Sequence, residues 1–208
     1  MKRLLTIGLY CLSVLGLTAQ TPQDIINKMI QKMDNQALQA NFVLALQEDM
    51  IGDPAIYRGQ IMMKGNKFRL NMGDTEVHYD GNTQWVYSDE TEELTLSTPT
   101  TDDLAGTNPL LILKQFKRNC NIEFYDKEQY KDGYIIVFYP KEEHSEVRKL
   151  LVTLRKDTGL PIKLVLEASR GNVTTLVLSN LKVNIPTTDT TFSISANKYP
   201  NAIINDLR

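Results

Sequence analysis

From Thr21 onward, apolar residues recur at helical spacing. Ile25, Ile26, Met29, Ile30 and Met33 fall on one stripe, and Gln23, Lys28, Gln31 and Lys32 fall elsewhere. Thr21 supplies an N-cap, Pro22 suits the first turn, and Asp24 completes a capping-box pattern. An amphipathic helix is therefore predicted over 21–35, and it must lie on an apolar surface. The period then changes to two. Leu38, Ala40, Phe42, Leu44 and Leu46 alternate with more polar neighbours, as do Tyr57, Gly59, Ile61 and Met63, and then Phe68, Leu70 and Met72. Short polar turns such as Ile51-Gly52-Asp53-Pro54 and Lys64-Gly65-Asn66-Lys67 separate these runs, which is the signature of an antiparallel meander.

The stretch from Tyr79 to Tyr87, YDGNTQWVY, reads as a hairpin turning at Asp80-Gly81-Asn82. Val77 and Tyr79 alternate on the first strand, Trp85 and Tyr87 on the second, and all four are expected to point inward. Leu94 and Leu96 mark another strand, after which the pattern breaks. A loop leads to a short apolar helix from about Pro109 to Phe116, with Asn108 as its N-cap. Strand patterns resume through residue 183, with turns at Asp157-Thr158-Gly159 and Arg170-Gly171-Asn172, and a last strand is expected around Phe192 and Ile194. The fold class is mainly β: a single curved antiparallel sheet that closes toward a barrel or half-barrel, with two helices to plug or lid it. The pattern is compatible with a filled interior and with a hollow one.

The first 20 residues change the picture of where this domain works. Lys2 and Arg3 precede an apolar run from Leu4 to Leu17, followed by Thr18 and Ala19, which is the pattern of a cleaved secretory signal peptide. Residues 1–20 are thus read as the signal and 21–208 as one domain. Lipidation at Cys11 is the rival reading, disfavoured by bulky Tyr10 and by the position of the cysteine inside the run. The net charge of −2 becomes more acidic without Lys2 and Arg3, and no basic stripe is present, which argues against nucleic acid as a partner. Cys120 would then be the one remaining cysteine, read as a buried small apolar residue without a disulfide. His78 and His144 stand apart from any nucleophile motif or metal-ligand spacing, and the acidic run Ser88–Glu93 lacks the spacing of a calcium loop. No enzyme, metal site or cofactor is expected.

The order of these features, with YRGQIMMKGNKFRL, YDGNTQWVYSDETEEL, GTNPLLIL and a closing FSI and YPNAII, resembles the bacterial periplasmic outer-membrane lipoprotein carriers, the LolA-like family. The resemblance spans the whole chain after the signal. It implies an unclosed β-barrel around an apolar cavity, with helices as a lid. It also implies a monomeric carrier that takes acylated lipoproteins from a release machinery at the inner membrane to an outer-membrane acceptor. The cavity would be lined by Ile26, Met29, Ile30, Met33, Phe68, Leu70, Val77, Tyr79, Trp85 and Tyr87. In the family an arginine ahead of a Pro-Asn pair bonds the lid and holds it shut. The matching position here is Lys64, followed by Gly65-Asn66, and lysine lacks arginine's planar fork. Lys64 is the expected latch, with Arg69 as second candidate. Relatives with this architecture that carry glycolipids or sense envelope stress give the alternative reading, a binding protein for another lipid or a sensor.

Overall fold

The structure is a computed structural model that describes residues 20–48, 52–100, 103–104 and 109–208. The apolar run of the signal, Cys11 and the Asn108 cap lie outside the described residues. Helix α1 (Pro22–Asn35) begins as its sequence dictates: the Thr21 hydroxyl accepts the Asp24 amide at 3.1 Å and donates to the Asp24 carboxylate at 2.7 Å. This box satisfies amide groups that the first turn leaves without partners. Ile25, Ile26, Met29 and Met33 are buried along its inner face, and Ile30 is partly buried beside them.

Among the described residues, twelve strands form one sheet: β1 (Leu38–Gln47), β2 (Ala55–Lys64), β3 (Lys67–Met72), β4 (Thr75–Tyr79), β5 (Gln84–Ser88), β6 (Glu93–Ser97), β7 (Cys120–Phe124), β8 (Gly133–Pro140), β9 (Val147–Arg155), β10 (Pro161–Ala168), β11 (Val173–Val183) and β12 (Ile203–Asp206). Their spatial order is β12-β6-β5-β4-β3-β2-β1-β11-β10-β9-β8-β7. The end strands do not pair with each other, so the sheet is an unclosed barrel. Strand β1 is the seam, pairing with β2 on one side (Leu38 opposite Met63) and with β11 on the other (Leu38 opposite Val183). Because β6 lies near one edge and β7 forms the other, the chain between them must traverse the sheet. That traverse carries α2 (Pro109–Asn119), which reaches three residues beyond the expected end at Phe116 and packs on β7, β8 and α1.

The alternation predicted for β1, β2 and β3 is observed where Leu38–Phe42, Ile61–Met63 and Phe68–Leu70 lie together. It fades toward the other end of β1 and β2, where Leu44 and Leu46 are only partly buried and Tyr57 is exposed. Leu38, Ala40, Phe42, Ile61, Met63, Phe68 and Leu70 are all buried in one contiguous apolar core with α1 and α2, on the concave face. Each of the larger side chains, Ala40 apart, contributes about 1.5–3 kcal/mol when taken fully out of water. Gly59, opposite Phe42, allows this close packing: a Cβ there would lie 2.8 Å from the Phe42 ring and 2.0 Å from the Asn71 carbonyl oxygen.

The hairpin departs from expectation. Its loop is four residues long, so Tyr79 pairs with Gln84, Val77 with Val86, His78 with Trp85 and Glu76 with Tyr87. Cross-strand partners share a face, and Val77, Tyr79 and Val86 belong to the core. Trp85 and Tyr87 therefore stand on the opposite, convex face, which corrects the inward placement predicted for them. Asp80 sets the longer loop: its carboxylate accepts the amides of Asn82 and Thr83, both at 2.9 Å, while its own amide donates to the Thr83 carbonyl.

The end of the chain also differs. Phe192 and Ile194 are not in a strand; Phe192 ends a 3-10 turn (Asp189–Phe192), and both residues are buried. The final strand is β12, and it pairs with β6 in parallel, the one parallel pairing among the described strands. Between the two, the chain crosses the convex face as a strap. The Tyr199 ring stacks on Tyr87 at 3.5 Å between centroids, and its hydroxyl donates to Glu76. Lys198 reaches the same carboxylate at 2.5 Å, and His78 Nε2 lies 2.7 Å from its other oxygen.

Burial works against charge on Glu76, but the bonds from Lys198, Tyr199 and His78 outweigh it and hold its carboxyl at about 2. His78 is pushed below its ordinary value by burial, against the pull of Glu76, so at neutral pH it donates as the uncharged ring. The folded state holds Glu76 deprotonated where the unfolded chain would take up a proton. Its contribution is therefore complete above about pH 4.5 and is lost as pH falls through about 2. Glu76→Gln is expected to lower the unfolding midpoint at pH 7, with the deficit shrinking as pH falls across that window. Urea unfolding followed by Trp85 fluorescence at several pH values measures this, and a deficit that stays constant with pH would contradict it.

Candidate functional site

The candidate site is the apolar layer between the concave sheet and the two helices. Its floor includes Phe68 and Leu70 of β3 and Val77 and Tyr79 of β4, which are brought together by the pairs Phe68–Tyr79 and Leu70–Val77. The Phe68 and Tyr79 rings lie 5.7 Å apart in a tilted arrangement. Its roof is the α1 stripe of Ile26, Met29, Ile30 and Met33, joined by Leu111 and Leu113 of α2. Eight of the ten residues expected to line a cavity thus meet in one layer, and Trp85 and Tyr87 do not. Val86, which sequence reasoning passed over, takes their place beside Val77. The missed signal was loop length: shifting the partner of Tyr79 by one residue exchanges the two faces of β5.

Met29, Met33 and Met63 are almost wholly enclosed within this layer, and Met72 is packed against it. Unbranched, polarizable side chains of this kind refill space of changing shape better than branched ones. Most side chains that meet inside the layer are apolar, with buried Gln84 opposite Tyr79 as a polar exception, so burial is the main force that binds roof to floor there.

Polar contacts at the rim fasten the helices. Lys114 of α2 forms an ion pair with Asp34, at the end of α1, at 2.5 Å and donates to the Asn66 side-chain oxygen in the β2–β3 turn at 3.2 Å. The Gly65 amide donates to the Met33 carbonyl at 3.2 Å, and Lys32 reaches the Thr158 carbonyl at 2.7 Å. Lys114 is thus the residue that ties both helices to the sheet. The expected latch residues are elsewhere: Lys64 is exposed and forms no side-chain hydrogen bond or ion pair among the described residues, and Arg69 lies opposite His78 on the convex face. Both are corrected as latch candidates. Asn66, two positions beyond the expected latch in the same turn, does take part. The readable sign of Lys114 was its solitary charge within the apolar run Leu110–Phe116. With side chains 26% and 41% exposed, the Lys114–Asp34 pair falls among surface pairs that contribute about 0–1 kcal/mol. The clasp is weak compared with the apolar layer beneath it.

Groups capable of chemistry lie outside this layer or are shielded in it. His78 is committed to Glu76 under the strap, and the Cys120 thiol is buried, which raises its pKa despite nearby Lys141. Among the described residues no group of three or more His, Cys, Asp or Glu side chains is arranged to hold a metal ion, and no helix is long and apolar enough to cross a membrane.

Solved structures resemble this one to different degrees. An uncharacterized conserved protein from Thermus thermophilus superposes with a TM-score of 0.58 at 11% identity, over 88% of this chain and 98% of that one. A LolA superfamily protein from Nitrosomonas europaea gives 0.44 at 15% identity, over 85% and 99%. MucB of Pseudomonas aeruginosa, solved with MucA, gives 0.45 at 16% identity, over 84% of this chain and 61% of that one. At these identities the likeness to the Thermus protein speaks for the fold alone. No curated protein matches the chain. At the level of sequence, residues 18–162 match the family described as outer membrane lipoprotein carrier protein LolA. That match takes in α1, β1 through β9 and α2, which include the roof of the layer, its β3–β4 floor and the Lys114 clasp, and the chain belongs to the LolA family of outer membrane lipoprotein carrier proteins.

Proposed function

We propose that this protein is a periplasmic carrier that takes the acyl chains of lipoproteins between its two helices and the concave sheet, and shuttles them from the inner to the outer membrane. The observation that carries the reading is an extensive apolar layer closed by a weak polar clasp. An acyl chain gains about 0.8 kcal/mol for each methylene removed from water, so a dozen methylenes outweigh several rim contacts of about 1 kcal/mol each. Loading then consists of the helices lifting from the sheet, tails replacing the side chains they covered, and methionines adjusting around them. Release reverses these steps when an acceptor offers a drier surface. The signal pattern of residues 1–20 supports export, and family membership supports the cargo class.

The reading is of a binding protein and not an enzyme. It is supported by the engagement of His78 with Glu76 and by the burial of the Cys120 thiol. A glycolipid or another diacyl lipid would exploit the same layer, so the decisive experiment separates cargo from fold.

Titration of the protein without residues 1–20 with a triacylated peptide is expected to show saturable binding. Ile30→Glu, at a partly buried position on the roof, should weaken it at least tenfold while unfolding remains cooperative. Equal affinity in the variant would remove the layer from consideration. Lys114→Ala should speed dissociation of the same peptide severalfold in stopped-flow measurements, with a smaller effect on thermal stability; an unchanged rate would mean that this clasp does not gate release. In cells, depletion should strand lipoproteins at the inner membrane. Normal sorting, together with tight binding of a different lipid, would transfer the reading to that lipid.

A further inference from the structure

A recess of about 570 Å³ opens at the end of the barrel where α1 stops, the β2–β3 turn begins and α2 passes overhead. Its lining among the described residues includes three lysines, Lys64, Lys67 and Lys114, and one carboxylate, Asp34. Lys114 already pairs with that carboxylate. Lys64 and Lys67 form no side-chain ion pair among the described residues, so the recess carries an uncompensated positive charge on a chain whose net charge is −2. The Asn66 amide and the Thr187 hydroxyl add neutral donors to the same wall.

The recess is also where the apolar layer ends. On each of four elements the chain passes from a fully enclosed interior residue to a lining residue in a single step: Met33 to Asp34, Met63 to Lys64, Phe68 back to Lys67, and Leu113 to Lys114. An amphiphile whose tails lay in the layer would find its polar end among these cations. Ammonium groups are compact point charges that suit a phosphate oxyanion approached from several directions. A concave wall beside a low-dielectric interior strengthens their field.

We infer that this recess is a binding site for a phosphate group, the headgroup of an anionic amphiphile whose acyl chains occupy the interior. The part concerning chains rests on the carrier reading; the phosphate site stands on the recess itself.

The test uses calorimetric titration of the protein without residues 1–20 against three probes: inorganic phosphate, dihexanoyl phosphatidic acid and dihexanoylglycerol. The parent should bind the phosphatidic acid at least tenfold more tightly than the uncharged diacylglycerol, and added salt should narrow the gap. In the double variant Lys64→Gln/Lys67→Gln the gap should close while diacylglycerol binding is unchanged. Lys163→Gln, the same kind of charge change at an exposed position on β10, should leave both affinities alone. Equal binding of both lipids by parent and double variant would overturn the phosphate site and leave the carrier reading standing. Lysine-dependent binding of inorganic phosphate, with no gain from attached chains, would support the site with free phosphate as its source and count against the carrier reading. Binding of none of the probes would overturn both.

Discussion

Everything in this structure follows from the need to cover a curved apolar face. A sheet twisted into an unclosed barrel hides its concave side chains only in part, because the open edge and the two ends admit water. The cover comes from α1 and from α2, which lies on the traverse that the strand order imposes between β6 and β7. Covering by helices instead of by a second sheet has a mechanical consequence. Helix and sheet share no backbone hydrogen-bond ladder, so the cover can shift without breaking one. The same topology that makes the fold stable leaves room for the helix movement on which the proposed loading depends.

How much of this the sequence discloses depends on how local each determinant is. Helix α1 is written in consecutive residues: a cap, a proline, an acidic third position and an apolar stripe. It appears in the structure with that box formed. The faces of β1 to β4 are likewise local, since parity along one strand needs no knowledge of its neighbour. The face of Trp85 is not. It depends on the number of residues in a turn, and Asp80 lengthens that turn by capturing two amides. Strand β12 was illegible for a related reason. Ile203 and Ile204 are both exposed, so no alternation betrays a strand that exists through its parallel pairing with β6. The clasp depends on three separate segments meeting, and resemblance alone pointed to Lys64, a position in the same turn as Asn66 but not bonded to the lid.

The two faces of β4 show how one strand serves opposite purposes. Val77 and Tyr79 enter the apolar layer, while Glu76 and His78 are sealed beneath the strap. A buried carboxylate without partners would neutralise itself by taking up a proton. Three donors keep Glu76 charged and thereby fix where the end of the chain lies. The strap's aromatic stack then covers part of the convex side, and β12 extends the sheet beyond β6. An apolar layer on one side is thus backed by a specific, charged anchorage on the other.

The seam at β1 has consequences for how the chain acquires this shape. Leu38 pairs with Met63 across one short loop, but its other partner, Val183, is far along the sequence. The early strands can zip as hairpins soon after they are made, whereas the edge of β1 stays vacant until β11 has formed. Closing so distant a pair is entropically slow, and sheets dominated by such contacts fold in milliseconds to seconds. During that interval the half-built sheet presents an unpaired strand edge beside an uncovered greasy surface, the combination most prone to sticking to other chains. A fold that, once complete, buries so broad an apolar face of its own would itself, while young, be in need of shielding.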